Sequence, residues 1–149
     1  EDGLLAVGAP APDFLLPQPG GQGDLALQQL LKEKKAVLVN FWFAGCPPCR
    51  EEHPRLQKIY DELKSRGLGI VAVNAFDTDE VVTRYLKERN LNFPVVLGGP
   101  DEKYTLGKAY GVTAYPTNYL LGPDGKVLWR GVGFDETTMR KALADAGIR

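Results

Sequence analysis

Apolar and polar residues along this chain fall into two alternating kinds of segment. Short, nearly continuous apolar runs predict buried strands, and apolar positions at spacings of three and four predict amphipathic helices. The predicted strands cover residues 36–43, 68–75, 94–97, 117–121 and 126–130, and the predicted helices cover residues 25–34, 46–66, 79–90, 104–110 and 136–146. Strands that alternate with helices in this way predict a layered α/β sheet that contains parallel pairs.

Glycine and proline mark the segments between these elements. Residues 1–24 are rich in both and predict an irregular lead-in with one short hairpin. The run Gly122-Pro123-Asp124-Gly125 predicts a second hairpin, between the last two strands. The chain has no internal repeat and no linker long enough to divide it, so we expect one domain over residues 1–149.

Composition and charge narrow the class of protein. The chain has 149 residues, of which 44% are hydrophobic, which is ordinary for a compact soluble domain and argues against a disordered or collagen-like chain. The 18 Lys and Arg residues nearly balance the 19 Asp and Glu residues, giving a net charge of −1. With no basic run, we expect no nucleic-acid partner.

The sequence predicts no membrane span. The longest apolar run, residues 36–43, is interrupted by Asn40 and falls well short of the roughly 18 residues that a bilayer requires. The chain begins with Glu1 and not with Met, so we expect that an N-terminal segment, such as a signal peptide or a membrane anchor, has been removed.

The two cysteines lie in the segment Cys46-Pro47-Pro48-Cys49, directly after the strongest predicted strand and at the start of a helix. At a helix N-terminus, unpaired N–H groups and the helix dipole favour a thiolate, which is the attacking form of cysteine. Cys46 is therefore the predicted nucleophile, and Cys49, one turn later, the predicted resolving thiol. Because neither proline has an N–H to donate, we expect the pKa of Cys46 to be lowered only moderately.

The cysteine pair has two other possible uses, a zinc site and a static disulfide. A closed zinc site usually needs four ligands, whereas this chain offers two cysteines and one histidine, His53. A static disulfide across two intervening residues would constrain the unfolded chain little. Both are therefore weaker interpretations than redox exchange.

The residues around the pair resemble a known family. The segment Val39-Asn40-Phe41-Trp42-Phe43-Ala44-Gly45-Cys46-Pro47-Pro48-Cys49-Arg50-Glu51-Glu52-His53-Pro54 is similar to the active-site segment of the thioredoxin superfamily, in its TlpA/ResA/DsbE branch of extracytoplasmic thiol–disulfide oxidoreductases. Residues 7–17 resemble the lead-in of that branch. The resemblance implies a thioredoxin-like α/β fold: a central mixed sheet flanked by helices, with an N-terminal extension and a central helix-strand insertion at about residues 77–101.

The same resemblance implies a substrate-binding surface. The segment Gly111-Val112-Thr113-Ala114-Tyr115-Pro116-Thr117 is similar to the superfamily's second signature, whose proline is cis and lies against the cysteine pair. The backbone of Tyr115 would then bind an extended substrate segment, and Trp42 and Pro47 would belong to the same surface. From the residues alone, Pro116 could equally mark a strand boundary and Tyr115 could be a packed loop aromatic.

Two side chains on the cysteine helix could assist the thiols. Glu52 follows Cys49 by three residues, and in the resembled branch a glutamate at this position belongs to the active site, where it could hold or pass a proton. Without the resemblance it is an ordinary acid of the first helical turn. His53 shares the helical face of both cysteines, and could be a packed core histidine, tune the thiols or complete a copper site with them.

The chain departs from the superfamily's pattern at two positions. Asn40 stands where many thioredoxins have a buried acid, which shifts proton transfer toward Glu52. Gly45 replaces the tryptophan usually found before the first cysteine, which opens the approach to Cys46 and leaves open which surface partners dock on.

The sequence therefore predicts a thiol–disulfide oxidoreductase that reduces protein disulfides outside the cytoplasm, for example in cytochrome c maturation. We expect no dissociable cofactor, no bound metal, a membrane thiol–disulfide protein as electron donor and a monomeric state. A thiol peroxidase is an alternative, because residues 11–14 also resemble peroxiredoxins, although Phe43 stands where those enzymes have Thr or Ser. A copper-delivery or partner-binding module that uses Cys46, Cys49 and His53 is the other alternative.

Overall fold

The computed structural model describes residues 2–98 and 106–149. The strands are β1 (Leu15–Pro17), β2 (Asp24–Ala26), β3 (Ala36–Trp42), β4 (Leu68–Asn74), β5 (Val95–Leu97), β6 (Thr117–Leu121) and β7 (Val127–Val132). The helices are α1 (Leu27–Glu33), α2 (Pro47–Leu63), α3 (Asp79–Glu88) and α4 (Glu136–Asp145). Residues 106–109 are also helical, and residues 104 and 105 of the predicted helix lie outside the described residues.

A five-stranded mixed sheet, in the order β5-β4-β3-β6-β7, forms the centre of the fold. β3 pairs in parallel with β4 along seven residues and antiparallel with β6. Every residue of β3 and β4 is buried, which explains their almost uninterrupted apolar sequences. The predicted mixed sheet flanked by helices is confirmed.

The two faces of β3 pack into different hydrophobic clusters. Leu38 and Trp42 belong to the cluster built with α2, α3 and α4, whereas Val39 and Phe41 belong to the cluster that contains α1. Because successive side chains of a strand point to opposite faces, Asn40 shares its face with Leu38 and Trp42. The one polar side chain in β3 therefore faces the helix that carries the cysteines.

The ends of several elements differ from the predicted ones for local reasons. The predicted hairpin in the lead-in is present, as β1 paired antiparallel with β2, so α1 begins at Leu27 and not at residue 25. α2 ends at Leu63 and passes into a 3₁₀ turn, Lys64–Arg66, which is followed by the left-handed Gly67. The second predicted hairpin joins β6 to β7 as expected.

The predicted central insertion appears as α3 and β5 over residues 77–98, and its predicted last residues, 99–101, lie outside the described part of the chain. β5 pairs in parallel with β4 and forms one edge of the sheet. Thr78 caps α3, because its hydroxyl accepts the N–H of Val81. In the described residues, no helix combines the length and apolarity that a membrane span requires.

Candidate active site

The cysteines form a disulfide at the point where β3 gives way to α2. Cys46 is the N-cap of α2, and its Sγ accepts the N–H of Cys49 at 3.2 Å. Pro47 and Pro48 occupy the first two helical positions, where a missing N–H costs little. A thiolate on Cys46 would therefore meet the positive end of the helix dipole and one backbone donor.

Little of the disulfide reaches the surface. Cys46 is 2% exposed and Cys49 is fully buried, whereas the neighbouring Gly45, Pro47 and Pro48 are exposed. Cys46 is the more accessible of the two by a small margin. An incoming sulfur atom must reach the disulfide from this exposed turn.

The peptide bond between Tyr115 and Pro116 is cis, which confirms the prediction that rested on the resemblance. β6 begins at the next residue, Thr117, which pairs with Phe41 near the end of β3. The cis-proline segment, before β6, and the cysteine turn, after β3, therefore lie at the same end of these two paired strands. Pro116 is buried and Tyr115 is partly exposed.

Three aromatic rings, which we call the aromatic triad, pack edge to face beside the cysteine turn. The ring centroids of Phe43 and Phe76 are 5.1 Å apart, those of Phe43 and Tyr115 5.4 Å, and those of Phe76 and Tyr115 5.3 Å. The carbonyl of Phe43 accepts the N–H of Cys46, and Phe76 is 48% exposed. The triad thus places partly exposed apolar surface next to the disulfide.

A carboxylate links the loop after β4 to the loop before Cys46. Asp77 Oδ2 accepts the N–H of Ala44 at 2.7 Å and the side-chain amide of Asn74 at 2.9 Å. Asn74 Oδ1 in turn accepts the N–H groups of Phe76 and Asp77. Sequence reasoning missed Phe76 and Asp77, since their contacts with Phe43 and Ala44 join residues that are distant along the chain.

Glu52 is a fully buried carboxyl group on the cysteine helix. Its Oε1 accepts the side-chain amide of Asn40 at 2.8 Å, and its Oε2 accepts that of Asn118 at 2.7 Å. Burial raises the pKa of Glu52 to about 7, against the lowering effect of the two amides. A carboxyl group that titrates near neutral pH can both take up and release a proton.

His53 lies beside Glu52 and is also fully buried. Its Nδ1 is 2.9 Å from the hydroxyl of Tyr85, and its Nε2 is 3.1 Å from Asn40 Oδ1. Burial, with a smaller effect of Arg89, lowers the pKa of His53 to about 3, so the imidazole is neutral at physiological pH. Both ring nitrogens of His53 therefore have hydrogen-bond partners within the core.

The predicted substrate-binding residues do not all reach the surface. Trp42 is fully buried, and its ring packs 4.8 Å from His53 and 4.7 Å from Tyr85. The side chain of Trp42 therefore belongs to the core behind the disulfide and not to the surface that a substrate meets. Pro47 and Tyr115, by contrast, are accessible beside the cysteine turn.

The family of this chain is identified by comparing its sequence with those of known protein families. The sequence model of the redoxin family matches residues 6–147, which is nearly the whole chain. This chain belongs to the redoxin family.

Two relatives place this redoxin more narrowly. It is 37% identical over 124 residues to thiol–disulfide oxidoreductase ResA of Bacillus subtilis, covering 83% of this chain and 66% of that protein. It is 35% identical over 125 residues to ResA of Halalkalibacterium halodurans, covering 84% of this chain and 68% of that protein. The chain thus spans about two thirds of the length of these relatives.

A solved structure gives the same result for the fold. A crystal structure from Chlorobium tepidum, named as a candidate thiol:disulfide interchange protein DsbE, has a TM-score of 0.83 and 30% identity, covering 95% of this chain and 98% of that one. The predicted thioredoxin-like fold and family are therefore confirmed. This redoxin is a thiol–disulfide oxidoreductase of the ResA type.

Proposed function

We propose that this redoxin reduces disulfides of protein substrates outside the cytoplasm, with Cys46 as nucleophile, Cys49 as resolving thiol and Glu52 as the proton carrier. One observation carries the proposal. The helix that begins at the Cys46–Cys49 disulfide also carries Glu52, three residues after Cys49, as a buried carboxyl group with a pKa of about 7. The location is proposed from the resemblance to the extracytoplasmic branch.

The first half of the reaction starts from the reduced protein. The Cys46 thiolate attacks one sulfur of the substrate disulfide, and a mixed disulfide forms as the substrate S–S bond breaks. One substrate sulfur leaves with the electron pair and takes up a proton. The position of Cys46 as the N-cap of α2 supports its assignment as the attacking thiol.

The second half of the reaction releases the substrate. The Glu52 carboxylate takes the proton of Cys49, and the resulting thiolate attacks Cys46 Sγ. The mixed disulfide breaks, and the second substrate sulfur leaves with the electron pair and is protonated. Two enzyme thiols have then become a disulfide, and the substrate disulfide has become two thiols.

Continued turnover requires a source of electrons. A dithiol partner must reduce the Cys46–Cys49 disulfide by the reverse of the same two steps, and we propose a membrane thiol–disulfide protein for this role. We propose no dissociable cofactor, because the electrons travel through sulfur–sulfur exchange. The proposed acting species is the monomer.

The substrate segment is proposed to bind in an extended conformation along the backbone of Tyr115, beside cis-Pro116. The aromatic triad would supply apolar contacts next to the reacting sulfur atoms. We propose an apocytochrome c as substrate, whose haem-attachment site has two cysteines separated by two residues and followed by histidine.

The reduction potential tests the direction of the reaction. The protein is equilibrated in dithiothreitol redox buffers, and the Cys46–Cys49 couple is followed by thiol trapping. A couple at least as reducing as the cytosolic glutathione pool, about −220 mV or lower, is expected for a reductase. A strongly oxidising couple, near the roughly −120 mV of a disulfide donor, would contradict the proposal.

The substrate class needs its own experiment. The reduced protein is mixed with an oxidised Cys-x-x-Cys-His peptide, and with a control peptide of the same composition whose cysteines stand further apart. Faster reduction of the first peptide is expected, and the difference should shrink in a Tyr115→Ala variant. Equal rates for both peptides would contradict the haem-site substrate and leave general disulfide reduction as the function.

A further inference from the structure

A chain of buried hydrogen bonds connects Tyr85 on α3 to Glu52 on α2. The Tyr85 hydroxyl is 2.9 Å from His53 Nδ1, and His53 Nε2 is 3.1 Å from Asn40 Oδ1. Asn40 Nδ2 is 2.8 Å from both Glu52 Oε1 and Asn118 Oδ1. Glu52, His53, Asn40 and Asn118 are all fully buried, so a partner lost by one of them is not replaced by bulk water.

The ionised form of Glu52 fixes the direction of every bond in this chain. A carboxylate only accepts hydrogen bonds, so Asn40 and Asn118 must both turn their NH₂ groups toward it. Asn40 then presents its carbonyl to His53, which must carry its hydrogen on Nε2. His53 Nδ1 is left as an acceptor for the Tyr85 hydroxyl. Each donor therefore points along the chain toward the carboxylate.

Protonation of Glu52 conflicts with this arrangement. The new O–H group needs an acceptor, but the two amides that face it are donors. Rotation of Asn118 alone would bring its NH₂ group against the NH₂ group of Asn40. If Asn40 rotates as well, its own NH₂ group faces His53 Nε2, which already carries a hydrogen. The imidazole must then change tautomer, and Tyr85 must turn its hydroxyl away.

We propose that His53 is a positioning residue for Glu52: its imidazole, held by Tyr85, fixes the Asn40 amide with its NH₂ group toward the carboxylate and so favours the ionised form. The proposal rests on the proposed function, in which Glu52 exchanges a proton with Cys49. His53 acts through Asn40 and does not contact the reacting sulfur atoms in this role.

Several charged or titratable groups surround this chain of bonds. The guanidinium of Arg89, the C-cap of α3, lies 4.1 Å from the centroid of the Tyr85 ring, and its charge adds to the effect of burial in lowering the pKa of His53. Arg50 of α2 and Glu52 itself act on Tyr85. α2 also carries the cysteines, whereas β3 and β6 supply the amides of Asn40 and Asn118. The variants below keep both arginines, so these charges stay constant.

Three variants test the proposal in the oxidised full chain. His53→Leu removes both hydrogen bonds of the imidazole and keeps an apolar side chain of moderate size. His53→Gln is the matched control, because its NH₂ group can donate to Asn40 and its carbonyl can accept from Tyr85. Tyr85→Phe removes a single oxygen atom and frees the choice of tautomer at His53.

The pKa of Glu52 is the readout, followed by infrared difference spectra of the protonated carboxyl band against pH, with Glu52→Gln to assign the band. His53→Leu should raise this pKa by about one unit, a tenfold weaker acid, since a hydrogen bond to a charged group is at stake. Tyr85→Phe should raise it by less, and His53→Gln should restore the wild-type midpoint.

An unchanged midpoint in both His53→Leu and Tyr85→Phe would overturn the proposal and leave His53 as a packing residue. If His53→Leu does not fold, Tyr85→Phe and His53→Gln decide the outcome. Failure of the proposed function would appear elsewhere: Glu52→Gln would then keep the wild-type pH dependence of thiol exchange, whatever the infrared midpoints of the other variants.

Discussion

Replacing Glu52 with Gln should make the pH dependence of stability weaker. Compared with the wild type, the free energy of unfolding of the oxidised variant should be more favourable at alkaline pH than at acid pH. Gln resembles the protonated carboxyl group in size and charge but cannot ionise. Burial raises the pKa of Glu52 from 4.5 to about 7 in the folded protein. Because the folded carboxyl holds its proton more tightly than the unfolded one, protonation stabilises the fold fully below pH 4.5, and this contribution is lost as the pH rises to about 7.

The size of the effect follows from this difference in pKa. One pKa unit corresponds to about 1.36 kcal/mol, so complete ionisation of Glu52 should cost about 3 kcal/mol of the free energy of unfolding. Glu52 is fully buried, so solvent screening does not reduce this figure much. The stability difference between Glu52→Gln and the wild type should therefore grow in favour of the variant by about 3 kcal/mol from pH 4.5 to pH 8.

Urea denaturation of both oxidised proteins at several pH values measures this difference directly. Using the difference between the two proteins cancels the titration of every other group that they share. Glu51→Gln is the matched control for loss of charge, because it removes the same charge from the adjacent, exposed position. A Glu52→Gln difference that does not change with pH would refute the reasoning.

Three further predictions concern the cysteine turn. Alkylation of the reduced protein near neutral pH should label Cys46 before Cys49, as read by mass spectrometry of the peptides, and the reverse order would contradict the assigned nucleophile. Cys49→Ala should accumulate a mixed disulfide with a disulfide-containing substrate, visible on non-reducing gels, whereas Cys46→Ala should not. Asp77→Ala should lower the free energy of unfolding by about 1–3 kcal/mol, because the Ala44 N–H loses its acceptor; an unchanged urea midpoint would show that the bond contributes nothing.

The sequence predicted best the strands whose apolar runs are nearly continuous. β3 and β4 are almost entirely apolar and buried on both faces, so their positions could be predicted to within one residue. β6 was predicted with its observed ends, Thr117–Leu121. The start of α1 was wrong because pairing of Asp24–Ala26 with β1 is a tertiary contact that local periodicity does not register.

The candidate site divides in the same way. The spacing and context of Cys46 and Cys49 on a helix after a strand are local features, so they could be predicted. The contacts of Asn118 with Glu52, and of Tyr85 with His53, join residues 66 and 32 positions apart, and no periodicity marks them. Trp42 was assigned to the substrate surface, but its position in β3 directs it into the core.

The insertion over residues 77–98, which adds β5 to the sheet, also contacts the active site at two separate places. Its first residue, Asp77, is bonded to the loop before Cys46, and its helix supplies Tyr85, the partner of His53. A chimaera that exchanged residues 77–98 as a block for a shorter connection would therefore lose more than an edge strand. In designed recombinants or truncations of this protein, the insertion and the cysteine helix should therefore be kept together from the same parent sequence.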